Sequence, residues 1–220
     1  MACLVRLMRR EDVAQVTAID REAFPTMWPP PNYERELSNQ LAHYIVVCDD
    51  AGVVEAPPAP PPVAGDTSGP VSRLRQFLGG CFRGRDHAAG PAGGQQLLGF
   101  AGFWIMAGEV HITSIAVREE HRGQGIGERL LISLIDLAVE QHGRLMTLEV
   151  RASNTVAQRL YAKYGFDRVG VRRGYYTDNR EDGVIMTTAD ITAASFQERL
   201  ERLRRAHARR WGVPLNPIGR

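Results

Sequence analysis

The sequence predicts a mixed α/β domain with one sheet flanked by helices, and three observations favour this class. Segments rich in β-branched and aromatic residues alternate with segments whose apolar residues recur at helical spacing. The 220 residues are 44% hydrophobic, which is ordinary for a globular chain with a single core. A glycine-rich turn at residues 122–127 joins a strand pattern directly to a helix pattern. This order of elements is typical of α/β folds.

The first quarter of the chain predicts two strands with two helices between them. Residues 4–8 suit a strand, and Asp12 is placed to cap the helix that follows. That helix should end at Phe24-Pro25, and three consecutive prolines then impose an irregular loop. A short helix at 34–40 and a strand at 42–48 complete this part. The first helix carries one apolar stripe, formed by Val13, Val16, Ile19 and Ala23.

Residues 51–96 differ in composition from the rest of the chain. They hold seven of its thirteen prolines, together with many Ala, Gly and Ser residues. Such a segment buries too little apolar surface to offset its ordering entropy, so we expect a disordered, mobile insertion within one domain spanning 1–190. Residues 71–78 suit a short basic amphipathic helix, either transient or in contact with a partner or a membrane.

The second half of the chain predicts five strands. The first two should pair through a turn at Ala107-Gly108. The last two should be joined by a loop that contains Tyr175 and Tyr176. The five strand segments are 97–105, 110–117, 144–151, 166–171 and 183–188.

Three helices accompany these strands. One begins near Gly125, and another is capped by Asn154 or Ser153 and ends at Gly165. The third, at 196–211, opens a basic helical extension at 191–220 and has many arginines. Its apolar edge packs on the domain in one interpretation, and its arginines bind RNA or an acidic protein in the other. That edge consists of Phe196, Leu200, Leu203 and His207.

Net charge, cysteine spacing and the length of the apolar runs argue against several classes of protein. A net charge of +2 gives no global argument for nucleic acid or membrane binding. Cys3, Cys48 and Cys81 are too widely spaced, and odd in number, for a disulfide framework or a zinc site. The longest apolar run, 130–139, is too short to span a bilayer. We therefore expect a cytoplasmic protein without a metal.

The turn at 122–127 predicts an anion site. The glycines allow a ligand to approach the backbone closely, and the first N–H groups of the following helix lack internal partners. The helix dipole adds partial positive charge at the same place. A phosphate-bearing ligand is therefore expected where this strand meets this helix.

Several motifs carry a family resemblance. Arg122-x-x-Gly125-x-Gly127, at the head of an amphipathic helix, resembles the acetyl-CoA signature of the GCN5-related N-acetyltransferase (GNAT) superfamily. The segments at 148–154, 160–166, 172–176 and 180–186 resemble the bacterial RimI branch, the ribosomal-protein-alanine N-acetyltransferases. The insertion and the C-terminal extension have no counterpart in the compact family pattern, so acceptor or partner could differ.

This resemblance implies the GNAT fold, with a mostly antiparallel mixed sheet splayed between its fourth and fifth strands. It also implies acetyl-CoA as co-substrate, with the backbone of Ile115, Ala116 and Val117 along its pantetheine arm. Asn154 is expected either to contact CoA or simply to cap a helix. The pyrophosphate is assigned to the turn formed by Arg122, Gly123, Gln124, Gly125, Ile126 and Gly127.

Glu149 and Tyr161 are the candidate catalytic residues. A carboxylate in an otherwise apolar strand suits a general base for an amine, although a surface ion pair of Glu149 with Arg151 or Arg144 is the alternative. Tyr161 lies on an apolar helix face, where a core role is common. The family resemblance makes Glu149 the base and Tyr161 the acid that protonates the departing thiolate.

The acceptor is predicted to be the N-terminal α-amine of a protein, such as a ribosomal protein beginning with alanine. An α-amine has a pKa of about 8 and lysine of about 10.4, so the neutral fraction near pH 7 favours the α-amine. Lysine, a polyamine or an aminoglycoside remains an alternative acceptor, and a non-catalytic acyl-CoA-binding module is a further alternative. The residues expected to hold the acceptor are Phe24, Trp28, Tyr33, Tyr175 and Tyr176.

Overall fold

The computed structural model describes residues 3–25, 31–49, 95–212 and 218–219. Nearly all of the predicted insertion, including the helix predicted at 71–78, lies outside these residues, as does Trp28. Within the described ranges, none of the helices combines the length and apolar character that a membrane crossing requires.

Seven strands form one sheet in the order β1-β2-β3-β4-β5-β7-β6. Neighbouring strands are antiparallel except for β4 and β5, which are parallel. This arrangement confirms the predicted mixed, mostly antiparallel sheet. The strands are β1 Cys3–Leu7, β2 Ala42–Asp49, β3 Leu97–Met106, β4 Glu109–Val117, β5 Leu145–Arg151, β6 Phe166–Tyr176 and β7 Glu181–Thr188.

The α-helices begin close to their predicted starts. Helix α2 is shorter than the predicted 34–40, because Ser38 and Asn39 bond to carbonyls three residues back and form a turn. The helices are α1 Val13–Ala23, α2 Tyr33–Glu36, α3 Ile126–Glu140, α4 Thr155–Lys163 and α5 Ala194–Trp211.

The sheet opens between β4 and β5. These strands pair only at Glu109–Leu145, Val110–Met146 and His111–Thr147. Over the rest of their described lengths, β4 continues to Val117 and β5 to Arg151 without a mutual register. The splay predicted between the fourth and fifth strands is confirmed, and it leaves backbone groups of β4 available at its carboxyl end.

The C-terminal helix contributes to the main hydrophobic core. Phe196 and Leu200 are buried in the cluster that also contains the apolar face of α3 and much of the sheet, and Leu203 packs against it. Ile191, just before α5, is fully buried in the same cluster. The apolar edge of α5 therefore packs on the domain, whereas the division between 1–190 and 191–220 stays a prediction.

The segment that carries Tyr175 and Tyr176 is not the predicted loop. Strand β6 continues through Tyr176, with irregular pairing between Arg172 and Tyr176, and a turn at 177–180 leads into β7. The extended chain persists because pairing resumes between Tyr176 and Glu181. The two tyrosines thus stand at the end of a paired hairpin.

Asp12 does not cap α1 through its side chain, contrary to the prediction. Its carboxylate instead accepts two hydrogen bonds from Arg6, at 2.7 and 2.8 Å, and one from the backbone N–H of Arg9, at 2.7 Å. Both charged side chains are buried, so bidentate pairing competes successfully with capping at this position.

Candidate active site

The turn before α3 has the backbone that its glycines permit. Gly123 has φ of 74° and Gly125 has φ of 80°, a left-handed region that disfavours other residues. Gly125 directly precedes α3, and a Cβ there would overlap the ring of Trp211. The side chains of Arg122 and Gln124 bond to the carbonyls of Val117 and Glu120. The turn is therefore a local backbone structure that presents the N-terminus of α3.

A cavity of about 290 Å³ lies where β4 and β5 separate. It brings together residues that the sequence assigned to different roles, whereas Ala116, Val117 and the turn at 122–127 lie outside its lining. Trp28 belongs to the residues that are not described. The predicted site residues that line the cavity are Phe24, Tyr33, Ile115, Glu149, Asn154, Tyr161, Tyr175 and Tyr176.

Glu149 is nearly buried in this cavity, with its side chain 7% exposed. Its Oε2 lies 3.2 Å from Nε2 of His111 on β4, and its Oε1 lies 3.0 Å from a guanidinium nitrogen of Arg172 on β6. The alternative pairing with Arg151 or Arg144 is absent from the described contacts, because those arginines pair with Asp178, Glu181 and Asp190. His111 and Arg172, which come from strands on opposite sides of β5, thus fix the carboxylate.

Sequence reasoning missed His111 and Arg172. His111 is opposite Thr147 in the short parallel ladder, two residues along β5 from Glu149. Arg172 comes from β6, which lies beyond β7 in the sheet, yet it reaches the same carboxylate. Only the strand order, which the sequence pattern did not supply, could have indicated these contacts.

Tyr161 is half-buried on α4, with its ring 5.7 Å from that of Phe166. Burial, assisted by Tyr176, raises the pKa of Tyr161 to about 12. Tyr161 lines the cavity, and among the described residues no group accepts a hydrogen bond from its hydroxyl. The phenol therefore keeps its proton at neutral pH and can donate it to a group in the cavity.

Asn154 serves as a helix cap and also lines the cavity. Its side-chain oxygen accepts a hydrogen bond of 3.1 Å from the backbone N–H of Ala157. The amide nitrogen is left for other contacts. The structural role predicted for Asn154 is confirmed, and its contact with CoA stays a prediction.

Arg151 holds the hairpin that carries the two tyrosines. Its guanidinium pairs with Asp178 at 2.9 Å and Glu181 at 3.2 Å, and it stacks 4.0 Å from the centre of the Tyr176 ring. Glu181 also accepts a bond from the Ser153 backbone N–H, and its hydrogen bonds to Ser153, Asn179 and Arg151 lower the pKa of its carboxyl to about 2. The turn between β6 and β7 is thus fastened to the end of β5.

The Tyr176 hydroxyl donates a long hydrogen bond of 3.4 Å to the Glu149 carbonyl, and the Tyr175 ring meets the Tyr176 ring edge-on, with centroids 5.2 Å apart. Tyr175 is 41% exposed. One aromatic wall of the cavity is therefore packed in place at Tyr176 and open to solvent at Tyr175.

Tyr33, on the opposite wall, is 2% exposed. Its hydroxyl donates a 2.7 Å hydrogen bond to Oδ1 of Asp20, and its ring meets those of Tyr44 and Phe100 edge-on. Burial raises the pKa of both Asp20 and Tyr33. Tyr33 therefore contributes mainly to the core beneath the cavity, while Phe24 follows the end of α1 at its rim.

The cavity adjoins a second depression through His111, which lines both. This depression has a volume of about 390 Å³ and is bordered by exposed apolar side chains of Leu41, Trp104 and Met106. Within the described ranges, no three His, Cys, Asp or Glu side chains are grouped as metal ligands would be.

Comparison with known proteins agrees with this architecture. The model of the acetyltransferase (GNAT) family matches residues 13–166. A Bacillus subtilis (strain 168) protein, provisionally named a [ribosomal protein bS18]-alanine N-acetyltransferase, is 33% identical over 183 residues, 83% of this chain and 92% of the relative. The [ribosomal protein bS18]-alanine N-acetyltransferase of Escherichia coli (strain K12) is 40% identical over 93 residues, 41% of this chain and 63% of the relative.

A solved structure supports the fold alone, because its identity to this chain is low. The crystal structure of the ribosomal-protein-S18-alanine N-acetyltransferase from Escherichia coli has a TM-score of 0.59 at 22% identity and covers 87% of this chain and 96% of that chain. The family match and the extended similarity to the Bacillus subtilis relative carry the assignment. The chain therefore belongs to the acetyltransferase (GNAT) family and, within it, to the RimI-type N-acetyltransferases.

Proposed function

We propose that this protein transfers an acetyl group from acetyl-CoA to the N-terminal α-amine of a protein that begins with alanine or a similarly small residue, such as a ribosomal protein. The observation that carries the proposal is the meeting of nearly buried Glu149 and protonated Tyr161 in one cavity at the splay of the sheet. The bS18-alanine acetyltransferase names of its relatives support the same acceptor class. We place this activity in the cytoplasm.

The residues fit acetyl-CoA. The carboxyl end of β4 has no pairing with β5 after His111, so those backbone groups of Ile115–Val117 that do not bond to β3 are free to bond the pantetheine arm. The left-handed glycines before α3 leave the helix N-terminus open to the pyrophosphate. The co-substrate supplies an acetyl group activated as a thioester.

The two candidate catalytic groups have complementary tasks. Glu149, oriented by His111 and Arg172, removes a proton from the acceptor ammonium, directly or through a water. The amine nitrogen then forms a bond to the acetyl carbon as the carbon–sulfur bond breaks. Tyr161 donates its proton to the departing sulfur. A phenol with a pKa of about 12 is protonated at physiological pH and can therefore act as this donor. The acceptor nitrogen loses two protons on going from ammonium to amide: the first passes through Glu149 to solvent, and the second leaves after the bond to carbon forms and balances the proton that Tyr161 gives to the sulfur.

The acceptor is expected to enter between Phe24 and the Tyr175–Tyr176 hairpin. A neutral α-amine is far more abundant at pH 7 than a neutral lysine, by roughly two to three orders of magnitude. A single oriented carboxylate is therefore better matched to an N-terminus. Lysine and small amines are the rival acceptors of the same fold.

Mass spectrometry of peptides incubated with the protein and acetyl-CoA tests this proposal. The matched pair is an alanine-initiated peptide with an internal lysine and the same peptide with its α-amine blocked. We expect one acetyl group on the free α-amine and none on the blocked peptide. Acetylation of lysine in both peptides would overturn the N-terminal assignment, and the absence of transfer to any amine would favour a non-catalytic acyl-CoA-binding module.

The basic C-terminal helix is not required by this proposal. Several of its arginines are already engaged: Arg204 pairs with Asp136, Arg205 pairs with Glu201, and Arg199 donates to carbonyls at the end of α4. Fewer arginines are thus left for nucleic acid than their number in the sequence suggested. A nucleic-acid contact through this helix stays a prediction.

A further inference from the structure

Arg129, in the first turn of α3, is buried without a partner. It is 3% exposed, and among the described residues no oxygen accepts a hydrogen bond from its guanidinium, whose Nε is fully enclosed. The chain treats its other buried arginine differently, because Arg6 is held by both carboxylate oxygens of Asp12. An enclosed cation with no counter-charge is strongly unfavourable unless a ligand supplies the missing acceptors.

Arg129 borders a cavity of about 210 Å³ between the start of α3, β1 and α5. A single water needs roughly 10–15 Å³ of such space, so a polyatomic anion can fit. The described lining contains no carboxylate; the nearby Glu128 is instead bound to Lys163 and Tyr164. The lining residues are Cys3, Gln124, Gly125, Ile126, Arg129, His207 and Trp211.

Helix α5 closes this cavity with two further polar side chains. His207 is 4% exposed and donates from Nε2 to the Gly125 carbonyl at 3.1 Å, since a carbonyl can only accept. Its Nδ1 and the Nε1 of Trp211 are buried and have no hydrogen-bond partner in the part of the chain that the structure describes. Burial lowers the pKa of His207, which leaves Arg129 as the permanent charge of the cavity.

We propose that this cavity binds a phosphate group, with Arg129 as its cation. The N-terminus of α3, which points the positive end of its dipole to the same region, adds to the attraction. Gln124, Gly125 and Ile126 line the cavity and also belong to the turn assigned to the CoA pyrophosphate. The phosphate is therefore either the 3′-phosphate of the same CoA molecule, which rests on the proposed function, or free inorganic phosphate.

Calorimetric titration with CoA and with 3′-dephospho-CoA distinguishes these sources. The variants are Arg129→Met, which keeps an unbranched apolar stem and removes the charge, and Arg209→Met, which removes an exposed arginine of α5 as the control. We also compare thermal unfolding in inorganic phosphate and in chloride at equal ionic strength. Unliganded Arg129→Met should melt no lower than wild type, because it loses an unpaired buried charge.

If the 3′-phosphate is the ligand, wild type and Arg209→Met should bind CoA at least ten times more tightly than 3′-dephospho-CoA, and Arg129→Met should bind both equally. If free phosphate is the ligand, wild type should bind both forms equally, and phosphate should raise its melting temperature by several degrees but not that of Arg129→Met.

Equal affinity of wild type for both CoA forms, combined with no Arg129-dependent effect of phosphate, would overturn the proposal. The wild-type comparisons decide the matter even if Arg129→Met does not fold. Failure of both CoA forms to bind would contradict the proposed function, while the response to phosphate would still decide whether the site exists.

Discussion

The donor side and the acceptor side of the proposed active site are built by different means. The donor side, formed by Ile115–Val117 and the turn at 122–127, depends on backbone conformation within one continuous stretch. The acceptor side, formed by Phe24, Tyr175 and Tyr176, depends on side chains from distant segments. Arg151 holds the tyrosine hairpin through ion pairs to Asp178 and Glu181. A backbone site is encoded locally, whereas a side-chain site needs the whole sheet to be in place.

Three variants test this comparison, and the largest of their effects is expected at Tyr161, where both sides meet. Tyr161→Phe should lower kcat by about 10²-fold, because the departing sulfur loses its proton donor. Since the raised pKa keeps the wild-type phenol protonated below about pH 12, its ionisation should not reduce kcat up to pH 10. Steady-state kinetics from pH 6 to pH 10 check both points. An unchanged kcat in the variant would remove Tyr161 from the mechanism.

Gly125→Ala should disturb the donor side alone. A left-handed alanine costs about 1–2 kcal/mol, and its Cβ would meet the Trp211 ring, so the turn must shift. We expect KM for acetyl-CoA to rise about tenfold with little change in KM for the peptide.

Gly212→Ala is the matched control for this variant. Gly212 is also left-handed, but an added Cβ there would lie within 4 Å of no described atom beyond the glycine and its two chain neighbours. It should carry similar backbone strain and leave both KM values unchanged. Equal effects of the two variants would mean that strain, and not the position of the turn, weakens acetyl-CoA binding.

Arg151→Met should disturb the acceptor side with the smallest effect. It removes the ion pairs to Asp178 and Glu181 and the contact with the Tyr176 ring. We expect KM for the peptide to rise about fivefold and KM for acetyl-CoA to stay constant. Arg168→Met, at an exposed position of β6, serves as the control. A larger change in KM for acetyl-CoA than for the peptide would contradict the separation of the two sides.

The sequence predicted the backbone conformation of the donor side well because its signals are short-range. Glycines at 123 and 125 report directly on left-handed backbone, and the helix pattern that follows locates the N-terminus of α3. The cap at Asn154 and the helix end at Gly165 were readable for the same reason. Strand pairing through Ala107-Gly108 was likewise set by a local turn.

The side-chain contacts around Glu149 and at the acceptor side were predicted less well, because they join segments that meet only in the folded sheet. His111 and Arg172 flank Glu149 only because β4 lies on one side of β5 and β6 lies on the other, beyond β7. The sequence predicts a loop where the tyrosine hairpin lies, since the irregular pairing of this segment has no alternating pattern. Tyr33 is predicted to hold the acceptor, yet its ring is buried and its hydroxyl bonds to buried Asp20, which places it in the core.

The most direct test of the central claim is the rate of acetyl transfer by Glu149→Gln to an alanine-initiated peptide, with Glu109→Gln on the exposed start of β4 as control. The amide keeps the shape of the side chain but cannot accept the amine proton, so kcat should fall at least 100-fold while the affinity for CoA changes little. Glu109→Gln should behave like wild type. A Glu149→Gln enzyme with nearly full kcat would contradict the assignment of this cavity as the catalytic centre.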